Sequence, residues 1–249
     1  MLKTAIEQLG ISIDNSGIER FSMFEKLLLE WNEKMNLTAI TDSFGIMTKH
    51  FLDSLLPLSV FPLPQSARLI DVGTGAGFPG VPIKLVRDDI SVTLLDSLNK
   101  RINFLNEVIA ELFCRGDNLP PAGEHCSPLR FGGIAAVHGR AEELGRAPEY
   151  RETFDVATSR AVAPLDMLSE FCLPFIKVGG VFLALKSADS GGEIEAAKPI
   201  ITELGGGIED EISAEIPYTD IVRRIVVVRK ISPTPEKYPR SIKKIKRGG

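Results

Sequence analysis

Cysteine is scarce in this chain: three residues in 249, at Cys114, Cys126 and Cys172. An odd, widely spaced set does not make a disulfide framework, and it fits the reducing cytoplasm. Long apolar runs are missing as well, so no stretch reads as a membrane span. The first residues, Met1-Leu2-Lys3-Thr4-Ala5-Ile6-Glu7-Gln8, place polar side chains where a secretory leader needs an apolar run. Cys114, His125 and Cys126 lack a fourth ligand and the paired spacing of a zinc site, so no metal is expected. Internal repeats and long low-complexity segments are absent too. These absences leave a cytoplasmic globular protein of one large domain or one domain with an appendage, whose 44% hydrophobic content suffices for a sizeable core.

The net charge of −4 conceals an asymmetry. Residues 223–249 hold ten Lys and Arg against one acid, Glu236, and the rest of the chain holds 19 basic and 32 acidic residues. A basic C-terminal end on an acidic body suggests a polyanionic partner. The competing reading is a solvated tail that contacts nothing.

Helical periodicity dominates the first 64 residues. Ile18, Phe21, Phe24, Leu27, Leu28 and Trp31 form one apolar stripe over 17–35. Residues 2–9, 42–49 and 50–58 read as further helix, and the proline-rich stretch 57–65 marks the edge of an N-terminal helical cap, residues 1–64. Strands and helices then alternate. Strands are expected at 69–72, 91–96, 134–137, 154–159, 178–185, 208–216 and 221–228, with helices at 80–87, 98–112, 164–175 and 193–204. The last two strands have no helix between them. The pattern predicts a seven-stranded, mostly parallel Rossmann-like α/β sheet over 65–232 that ends in an antiparallel hairpin, the class I methyltransferase layout. Residues 113–133 read as an inserted surface loop, and 233–249 as a basic tail.

The most informative stretch is Asp71-Val72-Gly73-Thr74-Gly75-Ala76-Gly77-Phe78-Pro79-Gly80, where a buried strand ends in an acid and runs into a glycine turn and a helix. Glycines at 73, 75 and 77 permit a tight turn and close approach of a ligand. Gly75-x-Gly77-x-x-Gly80 also satisfies the dinucleotide pattern. Asp71 favours S-adenosylmethionine, because a carboxylate there suits the cationic amino-acid end of that cofactor and repels a pyrophosphate. Pro79 also removes an N–H that would grip phosphate. Asp96 ends the second strand and is placed either to accept bonds from ribose hydroxyls or to cap the next helix. Ala141 and Glu142, after the third strand, either border an adenine ring or simply begin a helix. Arg160, after the fourth strand, is a candidate for the cofactor's carboxylate or a substrate phosphate, with a surface ion pair as the alternative.

Several motifs together resemble a known family. They are Trp31-Asn32, Asn36-Leu37-Thr38-Ala39-Ile40, His50-Phe51-Leu52-Asp53-Ser54, the glycine turn, Gly139-Arg140-Ala141-Glu142-Glu143, Ser159-Arg160-Ala161 and Lys237-Tyr238-Pro239-Arg240. In this order they resemble the bacterial 16S ribosomal RNA guanine-N7 methyltransferases, the glucose-inhibited division protein B family. The resemblance implies methyl transfer from S-adenosylmethionine to N7 of guanosine 527 in the 530 loop of 16S RNA. It also implies cofactor contacts at Gly73, Phe78, Ala141, Glu142 and Arg160. The extended 114–133 segment departs from the family's pattern.

N7 of guanine carries a free lone pair, so attack needs no general base, and catalysis reduces to proximity and orientation. No catalytic acid or base is therefore assigned. The loop after the fourth strand lacks the Asn-Pro-Pro-Tyr type of motif used on exocyclic amines. The base must be looped out to be reached, which suits single-stranded RNA. Asn36, Thr38 and His50 offer polar groups for its pocket, or else serve as helix caps and a His50–Asp53 contact. Arg223, Arg224, Lys237, Arg240, Lys243, Lys244, Lys246 and Arg247 are the candidates for phosphate contacts. The expected partner is 16S RNA or the small ribosomal subunit, met by a monomer. Three other readings compete: an S-adenosylmethionine enzyme acting on a protein or small molecule, a nicotinamide oxidoreductase, and a non-catalytic RNA-binding factor.

Overall fold

The computed structural model describes residues 1–114, 133–160 and 163–245. Its centre is a seven-stranded sheet in the order β3-β2-β1-β4-β5-β7-β6. The strands are β1 Arg68–Val72, β2 Ser91–Asp96, β3 Ile134–His138, β4 Phe154–Arg160, β5 Ile176–Ser187, β6 Gly206–Glu215 and β7 Val222–Lys230. The first five pair in parallel, and β7 lies antiparallel to both β5 and β6. This is the class I methyltransferase sheet. Strand order reverses beside β1, which places a crevice at the carboxyl ends of β1, β2 and β4.

Strand periodicity of two divides the core. Leu69, Val92, Leu183 and Val227 face one layer, while Ile70, Phe182, Ala184 and Val226 face the other. The first layer holds α1 Leu2–Gln8, α2 Asn15–Asn32, α4 Asp53–Val60, α5 Gly80–Val86 and α6 Asn99–Phe113. The second holds α7 Ala141–Leu144, α8 Leu165–Cys172, α9 Gly191–Glu203 and α10 Ile242–Ile245. A short α3, Ser43–Gly45, continues as a π-helical stretch, Ile46–Leu52, into α4. Such π-helical turns gather at functional sites.

The N-terminal helices do not form a core of their own. Phe21, Phe24 and Phe51 share one continuous apolar cluster with Phe78, Val81 and Leu105. Phe24 and Phe51 lie 5.7 Å apart ring to ring, and Phe24 reaches Phe78 at 5.2 Å. The apolar packing thus runs unbroken across the boundary expected near residue 64. Helix α2 stops at Asn32, three residues short of the expected end, because the Asn32 side chain turns to accept the backbone N–H groups of Leu37 and Thr38 at 2.8 and 2.9 Å. Most of the 113–133 insertion lies outside the described residues, as do His125 and Cys126.

Candidate active site

The glycine turn is sewn to the next strand. The N–H groups of Gly73 and Thr74 both donate to the Leu95 carbonyl, at 2.8 and 3.0 Å. Gly73, Gly75 and Gly77 all adopt positive φ, a conformation that costs other residues roughly 1–2 kcal/mol. Their jobs differ. A Cβ on Gly75 would meet nothing within 4 Å, so this position faces open space in the crevice. A Cβ on Gly77 would fall 2.7 Å from Val81 and 3.1 Å from Leu105, so this glycine serves packing. Gly80 likewise sits against Leu94 and Asp71.

Asp71 is fully buried at the tip of β1. Its Oδ2 accepts from the Thr74 hydroxyl at 2.6 Å and the Gly80 N–H at 2.8 Å. Its Oδ1 has no partner. Burial lifts its pKa to about 6, against the opposing pull of the Thr74 and Gly80 bonds and the Arg160 charge. An ionised carboxylate oxygen held dry with nothing to accept from is costly, and an ammonium group would satisfy it.

Asp96 is not the N-cap of α6, a place that Leu98 takes without a side-chain bond, but it holds the entry to that helix and the glycine turn together. Its Oδ1 accepts from the Leu98 N–H, while its Oδ2 accepts from the Gly75 N–H at 3.0 Å and from Arg101 at 3.2 Å. A carboxylate offers about four acceptor sites, so one remains toward the crevice. Arg140 lines the same end from the loop before α7.

The opposite wall is built from distant parts of the chain. The Arg160 guanidinium donates to Asp53 Oδ2 at 2.9 Å, to the Lys49 carbonyl at 3.1 Å, and to His50 Nδ1 at 3.3 Å. It also lies 5.1 Å from the Phe78 ring centre. Arg223 closes on the other oxygen of Asp53 at 2.8 Å. Asp53 is 1% exposed, so it neutralises two arginines away from water. His50 stacks on Phe78 at 4.6 Å and 12°. Burial and the Arg160 charge push its pKa down to about 4, so the ring is neutral at pH 7. A guanidinium can only donate, which puts the imidazole proton on Nε2, facing the Thr38 hydroxyl 2.7 Å away. His50 therefore bonds Thr38 and Arg160, and not Asp53 as one sequence reading had it.

Two connected cavities fill the crevice. One, about 160 Å³, is lined by Val72, Leu95, Ala141, Glu142, Phe171 and Ile242, a small apolar slot at the Asp96 end. The other, about 420 Å³, is lined by Leu37, His50, the Gly73–Ala76 turn, Phe78, Arg101 and Arg160. Gly73, Asp96 and Ser97 belong to both. The pair suits a ligand with an apolar ring at one end and hydroxyls in the middle; Asp71, fully buried behind the glycine turn, lines neither cavity.

The profile of the family described as rRNA small subunit methyltransferase G (GidB) matches residues 17–117 and 124–208. Proteins named ribosomal RNA small subunit methyltransferase G match almost end to end. That of Alkaliphilus oremlandii is 45% identical over 96% of this chain and 93% of its own. That of Caldanaerobacter subterraneus is 44% identical over 99% and 95%. The chain belongs to the rRNA small subunit methyltransferase G family. Between the two matched parts the profile passes over residues 118–123, a smaller interruption than the 114–133 segment. Among solved structures, Methanococcus jannaschii TYW2, crystallised with AdoMet, superposes with a TM-score of 0.51 at 15% identity over 76% of this chain and 77% of its own. Fibrillarin of the same organism gives 0.50 at 17% over 70% of each. These two likenesses establish the fold.

Within this family member, the basic C-terminal end is not a free tail. Arg146 donates to the carbonyls of Glu236, Lys237 and Pro239, and Arg151 to those of Thr234, Pro235 and Tyr238. Tyr238 is buried. Buried Lys230 anchors the start of the segment on Glu152, Thr234 and the Leu173 carbonyl. The path brings Ile242 to the apolar slot, a role that its sequence surroundings do not signal.

The expected phosphate contacts divide accordingly. Arg223 is committed to Asp53, and Arg240 to Glu170, itself 1% exposed, at 2.9 Å. Lys237 pairs with Glu203, and Arg224 with Glu211 at 3.5 Å, both at the surface. Lys243 is exposed without an ion pair. The Lys244 side chain, Lys246 and Arg247 lie outside the described residues. Asn36 is exposed in the turn between α2 and α3, beside half-buried Thr38. Among the described residues, no group of ligands could hold a metal ion, and no helix is long and apolar enough to cross a membrane.

Proposed function

We propose that the chain methylates N7 of guanosine 527 in the 530 loop of 16S ribosomal RNA, acting as a monomer on RNA of the small subunit. Its membership of the rRNA small subunit methyltransferase G family carries the reading. The bare Asp71 Oδ1 supports the cofactor assignment. When bound, S-adenosylmethionine supplies a methyl group on a cationic sulfur. Asp71 then holds the ammonium, and Gly73 and Gly75 leave backbone open to its length. Asp96 takes a ribose hydroxyl on its spare acceptor site. Ala141, Glu142 and Ile242 border the adenine.

The remaining residues orient the acceptor. Guanine N7 attacks with its own lone pair, so no side chain has to remove a proton. Neutral His50 agrees with this, since it is held by two bonds and stacked in place. The wall of Phe78, His50 and Arg160 fixes direction, which is the main lever available to such a reaction. Cys172 is excluded as a nucleophile, because burial raises its thiol pKa well above the ordinary range. Exposed Lys237 and Lys243 and half-buried Arg224, with Asn36 and Thr38, meet RNA. Arg223 and Arg240 support the site from inside.

The direct test is nucleotide mapping of ribosomal RNA from cells with and without the gene, followed by methylation of the undermodified subunits with purified protein. One N7-methylguanosine should vanish and return. An unaltered modification profile overturns the proposal.

A further inference from the structure

A third cavity adjoins the cofactor crevice. It measures about 440 Å³ and is bordered by Lys49, His50, Arg160, Lys186, Glu193 and Arg223 among others. His50 and Arg160 line both this space and the 420 Å³ cavity beside the glycine turn. They stand where the two spaces meet, with the glycine turn on one side and a chamber of mixed polar and apolar lining on the other. Two carboxylates border the chamber, and they are not equivalent. Both oxygens of Asp53 are taken by Arg160 and Arg223. Glu193, in the first turn of α9, uses one oxygen only: Oε1 accepts from the Leu165 N–H at 2.5 Å and from Lys186 at 2.6 Å. Among the described residues, both contacts fall on Oε1 and none on Oε2. The Leu165 and Lys186 contacts fix the carboxylate in orientation while leaving that oxygen to a ligand.

We infer that this chamber receives the looped-out acceptor nucleotide, and that Glu193 reads it as guanine. The inference rests on the proposed guanosine methylation and assigns that reaction's base-recognition site. Guanine presents two adjacent donors on its Watson–Crick edge, the N1–H and the N2 amino group, and the two lone pairs of Glu193 Oε2 can accept from both. Adenine presents an acceptor at N1, which would face Glu193 lone pair to lone pair. A site built to bond a particular group rejects an analogue that lacks it, because its own polar atom is then left unpaired. Glu193 binds the edge opposite N7, so the reacting nitrogen stays unobstructed. Lys49, exposed and without an ion pair, and the free Nη1 of Arg223 border the same chamber and suit the flanking phosphates. Glu193 is a specificity residue under this assignment and takes no part in bond making.

The test uses full-length protein and small subunits reconstituted with guanosine or inosine at the acceptor position. Inosine keeps N7 and N1–H but lacks the N2 amino group. The wild-type enzyme should prefer guanosine by about tenfold or more in kcat/KM. In Glu193→Gln the guanosine rate should fall by about tenfold or more and the preference should shrink toward one. Binding of S-adenosylhomocysteine should stay within about twofold of wild type, because Glu193 does not line the cofactor crevice. Lys49→Gln should weaken subunit binding and flatten its salt dependence while leaving the guanosine preference intact. A Glu193→Gln enzyme that retains the wild-type preference overturns the assignment of Glu193, and so does one that loses cofactor binding in proportion to activity. If instead the wild-type protein adds no methyl group to N7 of either substrate, the proposed function itself falls.

Discussion

The two walls of the cofactor crevice are made in opposite ways. One is the turn from Asp71 to Gly80, ten consecutive residues whose bonds close on one another and on the neighbouring strand. The other joins His50 and Asp53 to Arg160 and Arg223, with partners 107 and 170 positions apart. The first is rigid because its geometry is local, with glycines at positive φ and a carboxylate that organises its own loop. The second is rigid only through long-range ion pairing in a dry setting. A carboxylate occupies the heart of each, yet Asp53 is fully satisfied and Asp71 is left with a bare oxygen. The satisfied acid holds structure, and the unsatisfied one is the acid to which the proposed function gives the cofactor's ammonium.

The sharpest way to break this contrast is to remove the far wall's acid. Asp53→Asn leaves Arg160 and Arg223 without their shared counter-charge, and disrupting a buried pair in this way costs roughly 3–5 kcal/mol. Urea unfolding should show a loss of that order. A loss below about 1 kcal/mol would mean that the arginines are held by other contacts.

Within the near wall, Gly77→Ala should cost about 2–4 kcal/mol. It combines a strained backbone with a Cβ thrust onto Val81. Gly75→Ala should incur only the backbone part, about 1–2 kcal/mol, and should show its main effect in weakened cofactor binding. Equal stability losses would contradict the division of labour between them.

Asp71→Asn should reverse the Asp53 pattern. Stability should hold or rise, because burial penalises the Asp71 charge. S-adenosylhomocysteine affinity by calorimetry should fall about tenfold to a hundredfold, the range of a charge-assisted bond. The two effects have opposite pH signs. With a folded pKa of about 6, above the ordinary aspartate value, the stability contributed by protonated Asp71 is present at low pH and lost as pH rises through 6. Cofactor affinity should instead weaken as pH falls through 6, and Asp71→Asn should remove that dependence. His50 acts in the other direction on stability. Its folded pKa of about 4 lies below the ordinary 6.5, so its contribution is complete above pH 6.5 and is lost as pH falls toward 4.

The smallest expected effect concerns the C-terminal segment. Ile242→Asp places a charge in the apolar slot and should raise the dissociation constant of S-adenosylhomocysteine severalfold, or about 1 kcal/mol. Lys237→Ala removes an exposed pair and should change stability by less than about 1 kcal/mol. Affinity unmoved by Ile242→Asp would detach the segment from the cofactor site.

Much of this could be read along the chain. The succession of strands and helices along the chain, the closing hairpin and the glycine turn between two aspartates all follow from short-range pattern, because periodicity and turn chemistry act over a few residues. The basic end was legible as charge and misleading as a tail. Charge counts carry no information about which acids fold up beside them, and Arg240 meets buried Glu170 while Arg146 and Arg151 hold the segment by its carbonyls. Nor did the helical pattern over 1–64 reveal that those residues complete a layer on the sheet. An apolar stripe declares that it will be buried but does not say against what.

By itself the sequence determined the parallel sheet, the turn at 73–77 and the acid that precedes it, since each is encoded by neighbours in the chain. Only the tertiary structure decided that Asp53 would bind two arginines, that Asp71 would keep an empty oxygen, and that Ile242 would reach the cofactor slot. Satisfaction of a buried charge depends on what lies within a few ångströms of it, and that set is assembled only when segments far apart in the chain pack together.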